Sequence, residues 1–232
     1  MCFVRQARER GRSNTPWLDS RHSFSFADYV DHSRMGFSAL RVINEDHVAP
    51  GAGFPMHGHR DMEIISYVLD GALEHRDDLG NGSILRAGDV QRMSAGTGVH
   101  HSEFNASNTQ PLMFLQIWIL PAQAGIAPGY EQLSLFTDGG RNELHLAVSP
   151  DGRQGSLMIH QDACLYIGRL SRGAVATQGF EPGRRGYLHL ARGEVKVNGQ
   201  LLHGGDAMTL EGEPAVIVDA VSDSEVLLFD LP

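Results

Sequence analysis

Cysteine is nearly missing from this 232-residue chain: Cys2 and Cys164 stand far apart, with no CxxC pair. That excludes a disulfide framework and fits a reducing compartment. Positive charge is also short, with 19 Lys and Arg against 28 Asp and Glu, a formal net charge of −9. The longest basic run is Arg184-Arg185. Such a surface repels a phosphate backbone, so direct nucleic-acid binding is disfavoured, and no basic amphipathic stretch suits a membrane surface. Long apolar runs are lacking too. The most apolar, 112–120, is interrupted by Gln116 and falls far short of a membrane span. The N-terminus has neither the apolar stretch nor the small-residue cleavage site of a secretory signal. The expectation is a cytoplasmic protein. Helical periodicity is the last absence, since no apolar repeat of that period outlasts about two turns.

Glycine, by contrast, is plentiful at 27 residues, which favours tight turns and short strands. Strand-like segments recur at 39–44, 63–69, 72–75, 83–86, 90–93, 99–104 and 112–120. Turn signals such as Asp70-Gly71, Gly80-Asn81-Gly82 and Gly96-Thr97-Gly98 separate them. This rhythm predicts an antiparallel sandwich or barrel. Residues 121–142 break it and read as an interdomain connection. It then restarts at 144–148 and continues to 226–229. The expected organisation is therefore two β domains in tandem, 1–125 and 126–232.

Two histidine-bearing runs carry the chemistry: His57-Gly58-His59 and His101-Ser102-Glu103. Residues two apart on a strand point to one face. Two neighbouring strands with these pairs turned inward would converge three imidazoles and one carboxylate on a point. That donor set suits iron, manganese, cobalt, nickel or zinc, and leaves positions open on a five- or six-coordinate ion. His100 points to the opposite face from His101, and Glu63 alternates away from Ile64.

The second half repeats the first. The segment 65–71 resembles 187–193, each an apolar strand closing on glycine, and Gly88-Asp89 matches Gly205-Asp206. Counted from these landmarks, His57 and His59 fall opposite Gly179 and Glu181, and His101 and Glu103 opposite Val218 and Ala220. The donor set is absent from the second copy, so one domain is expected to bind metal and the other not.

The spacing from Gly51 through His57, His59 and Glu63 to Gly71 resembles the first motif of the cupin superfamily. That of Gly88, Ser94, Gly96, His101 and Asn105 resembles the second, with serine where proline is usual. Within that superfamily the chain is similar to the pirin family. The resemblance lies in Trp17-Leu-Asp-Ser-Arg-His-Ser-Phe-Ser-Phe-Ala27, Met35-Gly-Phe-Ser-Ala-Leu-Arg-Val-Ile-Asn44, His59-Arg-Asp-Met-Glu63 and Met93-Ser-Ala-Gly-Thr-Gly-Val-His-His-Ser-Glu103. The closing Ser222-Asp-Ser-Glu-Val-Leu-Leu-Phe-Asp-Leu231 belongs to it as well.

The resemblance implies an all-β bicupin with one divalent metal ion in the N-terminal barrel, its ligands mapping onto His57, His59, His101 and Glu103. Iron(II) is the first expectation, and zinc, manganese, cobalt, nickel and copper(II) suit the same donors. It further implies a quercetin 2,3-dioxygenase-like activity, with a flavonol-like aromatic substrate and dioxygen as partners and Glu103 as candidate general base. The alternative it implies is a metal-binding, redox-sensing regulator acting through a protein partner. Phe24, Phe26, Phe37, Phe54 and Met56, with Gln116 and Trp118, are candidates to line a pocket for a flat ligand. The remaining histidines, among them His22, His75 and His160, read as structural or solvated.

Overall fold

The computed structural model describes residues 2–137 and 139–232. Asp138, within the connection expected over 121–142, lies outside the described residues. Strands are numbered along the chain, beginning with β1 (Cys2–Arg5), β2 (Gly11–Asn14), β3 (Leu18–His22), β4 (Leu40–Val48) and β5 (Gly53–His59). Next come β6 (Glu63–Asp70), β7 (Ala72–Asp77), β8 (Gly82–Arg86), β9 (Asp89–Ser94), β10 (Val99–Asn105), β11 (Leu112–Ile119) and β12 (Gly129–Ser134). After them run β13 (Leu144–Ser149), β14 (Leu157–Met158), β15 (Cys164–Leu170), β16 (Val175–Gly179) and β17 (Arg185–Arg192). The last are β18 (Glu194–Val197), β19 (Gln200–His203), β20 (Ala207–Glu211), β21 (Ala215–Ala220) and β22 (Ser224–Leu231). Among the described residues the helical content is two short 3-10 turns, Ala7–Glu9 and Arg153–Gly155. The all-β expectation holds.

Two compact units divide the chain. One comprises residues 10–134 and 157–161; the other comprises the described residues up to Glu9, then 135–156 and 162–232. In the first unit, one sheet runs β12-β9-β6-β11-β4-β3-β2 and another β5-β10-β7-β8. In the second, one sheet runs β1-β20-β17-β22-β15-β13 and another β16-β21-β18-β19. Six successive places of the large sheets match, β2 alone having no counterpart among the second unit's strands, and the small sheets match throughout, so the internal repeat read from the sequence is a repeat of topology. Two segments differ from the reading. Residues 121–142 contain a strand, β12, which pairs along β9. Its sequence, Gly-Tyr-Glu-Gln-Leu-Ser, is half exposed, has no fully buried residue and lacks the apolar alternation that signals a strand. The place that β12 holds in the first unit is taken in the second by β1, from the start of the chain, paired with β20.

The cores follow the period-2 pattern. In the first unit Val48, Val68, Leu73, Leu85, Leu112 and Phe114 form one buried cluster, and Ile64, Met93, Ala95 and Val99 another. In the second unit Leu188, Leu190, Val195, Val216, Val226 and Leu228 are among the buried residues of a single cluster. Central strand β6 is buried from Glu63 to Leu69, which leaves room for polar side chains only where they find partners. The β6–β7 turn needs glycine: Gly71 has φ +80°, and a Cβ there would meet the Pro111 carbonyl oxygen at 2.6 Å.

Candidate metal centre

Strand β10 lies between β5 and β7, and this places the site. Antiparallel register sets His101 opposite His57 on one side and opposite Asp77 on the other, with Glu103 opposite His75. Between His101 and Glu103 the β5 register slips, so Glu103 faces Phe54. Pro55 sits in this irregularity, where its missing N–H costs no ladder bond. Along β10, Val99 and His101 are buried and His100 is exposed, with its Nδ1 3.1 Å from Asp78 Oδ2.

The three imidazoles meet. Ring centroids are 4.7 Å apart for His57 and His59, 4.5 Å for His57 and His101, and 5.0 Å for His59 and His101. Each offers a nitrogen within 4.8 Å of the other two. His57 donates its Nδ1–H to the Pro55 carbonyl at 2.8 Å, which leaves the Nε2 lone pair for a ligand. Burial, followed by the neighbouring imidazoles, pushes the pKa of His59 down to about 4 and that of His101 to about 3. Both rings are therefore neutral at ordinary pH, as a ligating imidazole must be.

Glu103 is 1% exposed and rigidly held. Its Oε1 accepts from Ser66 Oγ at 2.8 Å and Gln91 Nε2 at 2.7 Å, and its Oε2 from Gln116 Nε2 at 2.6 Å. Tyr130 donates its hydroxyl to Gln91 Oε1 at 3.1 Å, which orients that amide to donate to Glu103. At the 4.8 Å spacing, Glu103 forms a triplet with His101 and His75. His75, one of the histidines expected to be structural or solvated, is fully buried on the face that carries His101 and Glu103. Its signal was available in the His75-x-Asp77 spacing, again two residues apart on one strand.

The residues fit a metal ion on their own chemistry. Both ring nitrogens of His101 are buried without a hydrogen-bond partner, an arrangement that is costly unless a ligand takes one of them. Three imidazoles and a carboxylate match a borderline divalent ion.

A cavity of about 320 Å³ opens onto His57, His59 and Glu103. Phe26, Phe54 and Trp118 supply its apolar wall, and Gln116 and His22 add polar edges. Trp118 stands edge-on to both Phe26 and His59, at 5.4 and 5.1 Å. The other apolar candidates lie elsewhere. Phe24 is buried at 4% exposure, and Met56 is 55% exposed because it alternates with the inward His57. Phe37 is half-buried outside the cavity lining. Glu63, fully buried, accepts from Ser94 Oγ at 2.7 Å and pairs with His160 Nδ1 at 3.1 Å, so it is committed to another network.

Comparison with known proteins gives a consistent picture. The family model described as Pirin matches residues 3–119, and one described as quercetinase C-terminal cupin domain matches residues 146–231. A protein of Escherichia coli (strain K12) named quercetin 2,3-dioxygenase is 47% identical over 232 residues, covering 100% of this chain and 99% of its own. A pirin-like protein of Caulobacter vibrioides is 41% identical over 222 residues, covering 95% of each. The crystal structure of the E. coli bacterial pirin YhhW in complex with nickel(II) superposes with a TM-score of 0.95 at 47% identity, over 100% of this chain and 99% of that one.

Proposed function

The chain belongs to the pirin family, and from that premise we propose that it is a metal-dependent dioxygenase acting on flavonols such as quercetin. Both atoms of dioxygen enter the central ring, and carbon monoxide and a depside leave. The ion is held by His57, His59, His101 and Glu103, with iron(II) assigned in the first instance. The observation that supports this reading is the convergence of three imidazoles, two of which line an apolar cavity together with a clamped carboxylate. Its volume of about 320 Å³ lies at the lower end of the roughly 300–1,000 Å³ usual for small-molecule sites. A nickel-bound relative and relatives named quercetin 2,3-dioxygenase support it further.

When bound, the ion supplies Lewis acidity and a common point for orienting substrate and dioxygen. The remaining work falls to side chains. Phe26, Phe54 and Trp118 hold the flat rings and exclude water. Glu103 is the acceptor for the substrate's 3-hydroxyl proton. Its Oε1 already takes two donors and its Oε2 one, so a single acceptor direction on Oε2 is left. Holding the ion and taking the proton both call on that direction. Proton transfer therefore requires one of the three donors, Ser66, Gln91 or Gln116, to release its carboxylate oxygen. The unpaired thiols Cys2 and Cys164 and the acidic surface agree with a cytoplasmic setting.

The test is anaerobic reconstitution with ferrous iron, then addition of quercetin and oxygen, following flavonol absorbance and carbon monoxide. Metal-loaded protein should consume quercetin with one carbon monoxide released per turnover, and His101→Ala should not. Equal turnover by the two proteins refutes the reading.

A further inference from the structure

Three ring nitrogens in one buried histidine pair have no hydrogen-bond partner: Nδ1 of His75 and both nitrogens of His101. The two rings share a face of the β7–β10 pair, with centroids 5.6 Å apart. A ligand atom from each, together with a Glu103 oxygen, falls within 4.8 Å of the others. A buried polar group is normally satisfied, so three adjacent exceptions call for a common explanation.

The protons can be assigned. His75 Nε2 lies 3.2 Å from Asp77 Oδ2. Asp77 also accepts from the Asn81 backbone N–H at 2.8 Å, the Asn81 side-chain amide at 2.8 Å and the Leu79 N–H at 3.0 Å. A carboxylate taking that many donors is an acceptor, so the hydrogen of the pair sits on His75 Nε2. His75 Nδ1 then carries a bare lone pair, and stacking on Tyr130, at 4.5 Å and 19° between planes, fixes the ring. On the other side, a neutral His101 whose one nitrogen binds an ion keeps an N–H on the other. That N–H needs an acceptor.

We propose that Asp77 and His75 form a positioning relay to the metal centre: Asp77 holds His75 as the Nε2–H tautomer, and His75 Nδ1 accepts the remaining N–H of metal-bound His101. The relay rests on the metal-site reading above. The two rings are not hydrogen-bonded to each other in the structure, so that bond forms as the ion seats His101; one of the three unpartnered nitrogens is then satisfied by the ion and the other two by each other. Neither residue touches substrate. They set the tautomer and plane of a ligand, as hydrogen-bonded partners of ligating histidines commonly do.

The experiment titrates full-length protein with cobalt(II) against a chelator and records the visible spectrum of the bound ion. His75→Ala and Asp77→Asn should each weaken cobalt binding about 10- to 100-fold and shift the spectrum. Asp77→Asn does so without removing an atom from the ring, because an amide donor favours the wrong tautomer. His75→Asn, which can offer an amide oxygen near the lost Nδ1, should recover part of the affinity. Asp78→Asn, an equal charge change on an exposed neighbour, should leave binding and spectrum unchanged. Urea melts of the metal-free proteins separate a merely structural role: lowered stability with unaltered cobalt affinity overturns the relay. X-ray absorption that counts four imidazoles on the ion also overturns it, by making His75 a ligand. If wild type binds cobalt no better than His57→Ala, the metal-site reading itself fails and the relay with it. Loss in His57→Ala but not in His75→Ala removes the relay alone.

Discussion

Replacing Asp46 by asparagine should flatten the pH dependence of stability of the metal-free first unit. Asp46 lies on β4, 3% exposed, with Oδ1 lacking any partner. Burial raises its pKa from 3.8 to about 7; the Ser20 hydroxyl opposes this and the Glu103 charge adds to it. The sign follows from linkage. A carboxyl whose folded pKa lies above its unfolded value favours the folded state while protonated, and that advantage is lost as pH rises through the folded value. Wild type should therefore lose stability between about pH 4 and pH 7. About three pKa units at roughly 1.4 kcal/mol each give about 4 kcal/mol as the full span. Asparagine cannot ionise, so the variant's advantage should grow by about that amount across the window. The assay is urea unfolding of metal-free protein followed by tryptophan fluorescence. Trp17 and Trp118 are the chain's two tryptophans and both lie in the first unit, so the signal reports that unit. Parallel stability curves for wild type and Asp46→Asn from pH 4.5 to pH 8 would refute the reasoning.

Three further outcomes are expected. Gly53→Ala places a Cβ 2.3 Å from the Glu103 carbonyl oxygen and 2.5 Å from Phe104 Cα, so β5 must move off β10. A loss of about 1–3 kcal/mol in the same fluorescence assay should accompany weakened metal binding, because His57 and His59 ride on β5. Trp118→Ala removes part of the cavity wall and should raise KM for quercetin about tenfold, with carbon monoxide per quercetin consumed unchanged in steady-state assays. Glu103→Gln turns an acceptor-only group toward three donors into one that carries its own N–H₂. It should cost about 1–3 kcal/mol in urea melts and abolish flavonol turnover.

Much of the fold was legible because strands of this kind announce themselves by alternation and glycine turns. The topological repeat could be read from short landmarks, since equivalent hairpins need the same turn chemistry at the same offsets. The pairing of β1 with β20 could not, because nothing local in Cys2–Arg5 encodes a partner some two hundred residues away. Strand β12 escaped notice because an exposed edge carries little apolar signal. At the site, the His57-x-His59 and His101-x-Glu103 spacings predict a shared face; the β5–β10 register sets His57 opposite His101, while Glu103, past the register slip, clusters with His101 and His75. His75 was passed over because a lone histidine is usually structural, and only the register of β7 against β10 sets it opposite Glu103. The clamp of Ser66, Gln91 and Gln116 on Glu103 joins three strands, a convergence that residue spacing along the chain does not encode.

Anomalous diffraction from a crystal grown or soaked with manganese(II), iron(II) or nickel(II) tests the central claim most directly. A single strong peak should lie about 2.0–2.2 Å from one nitrogen each of His57, His59 and His101 and from a Glu103 oxygen. An ion bound elsewhere, or those four side chains unliganded at saturating metal, would contradict it.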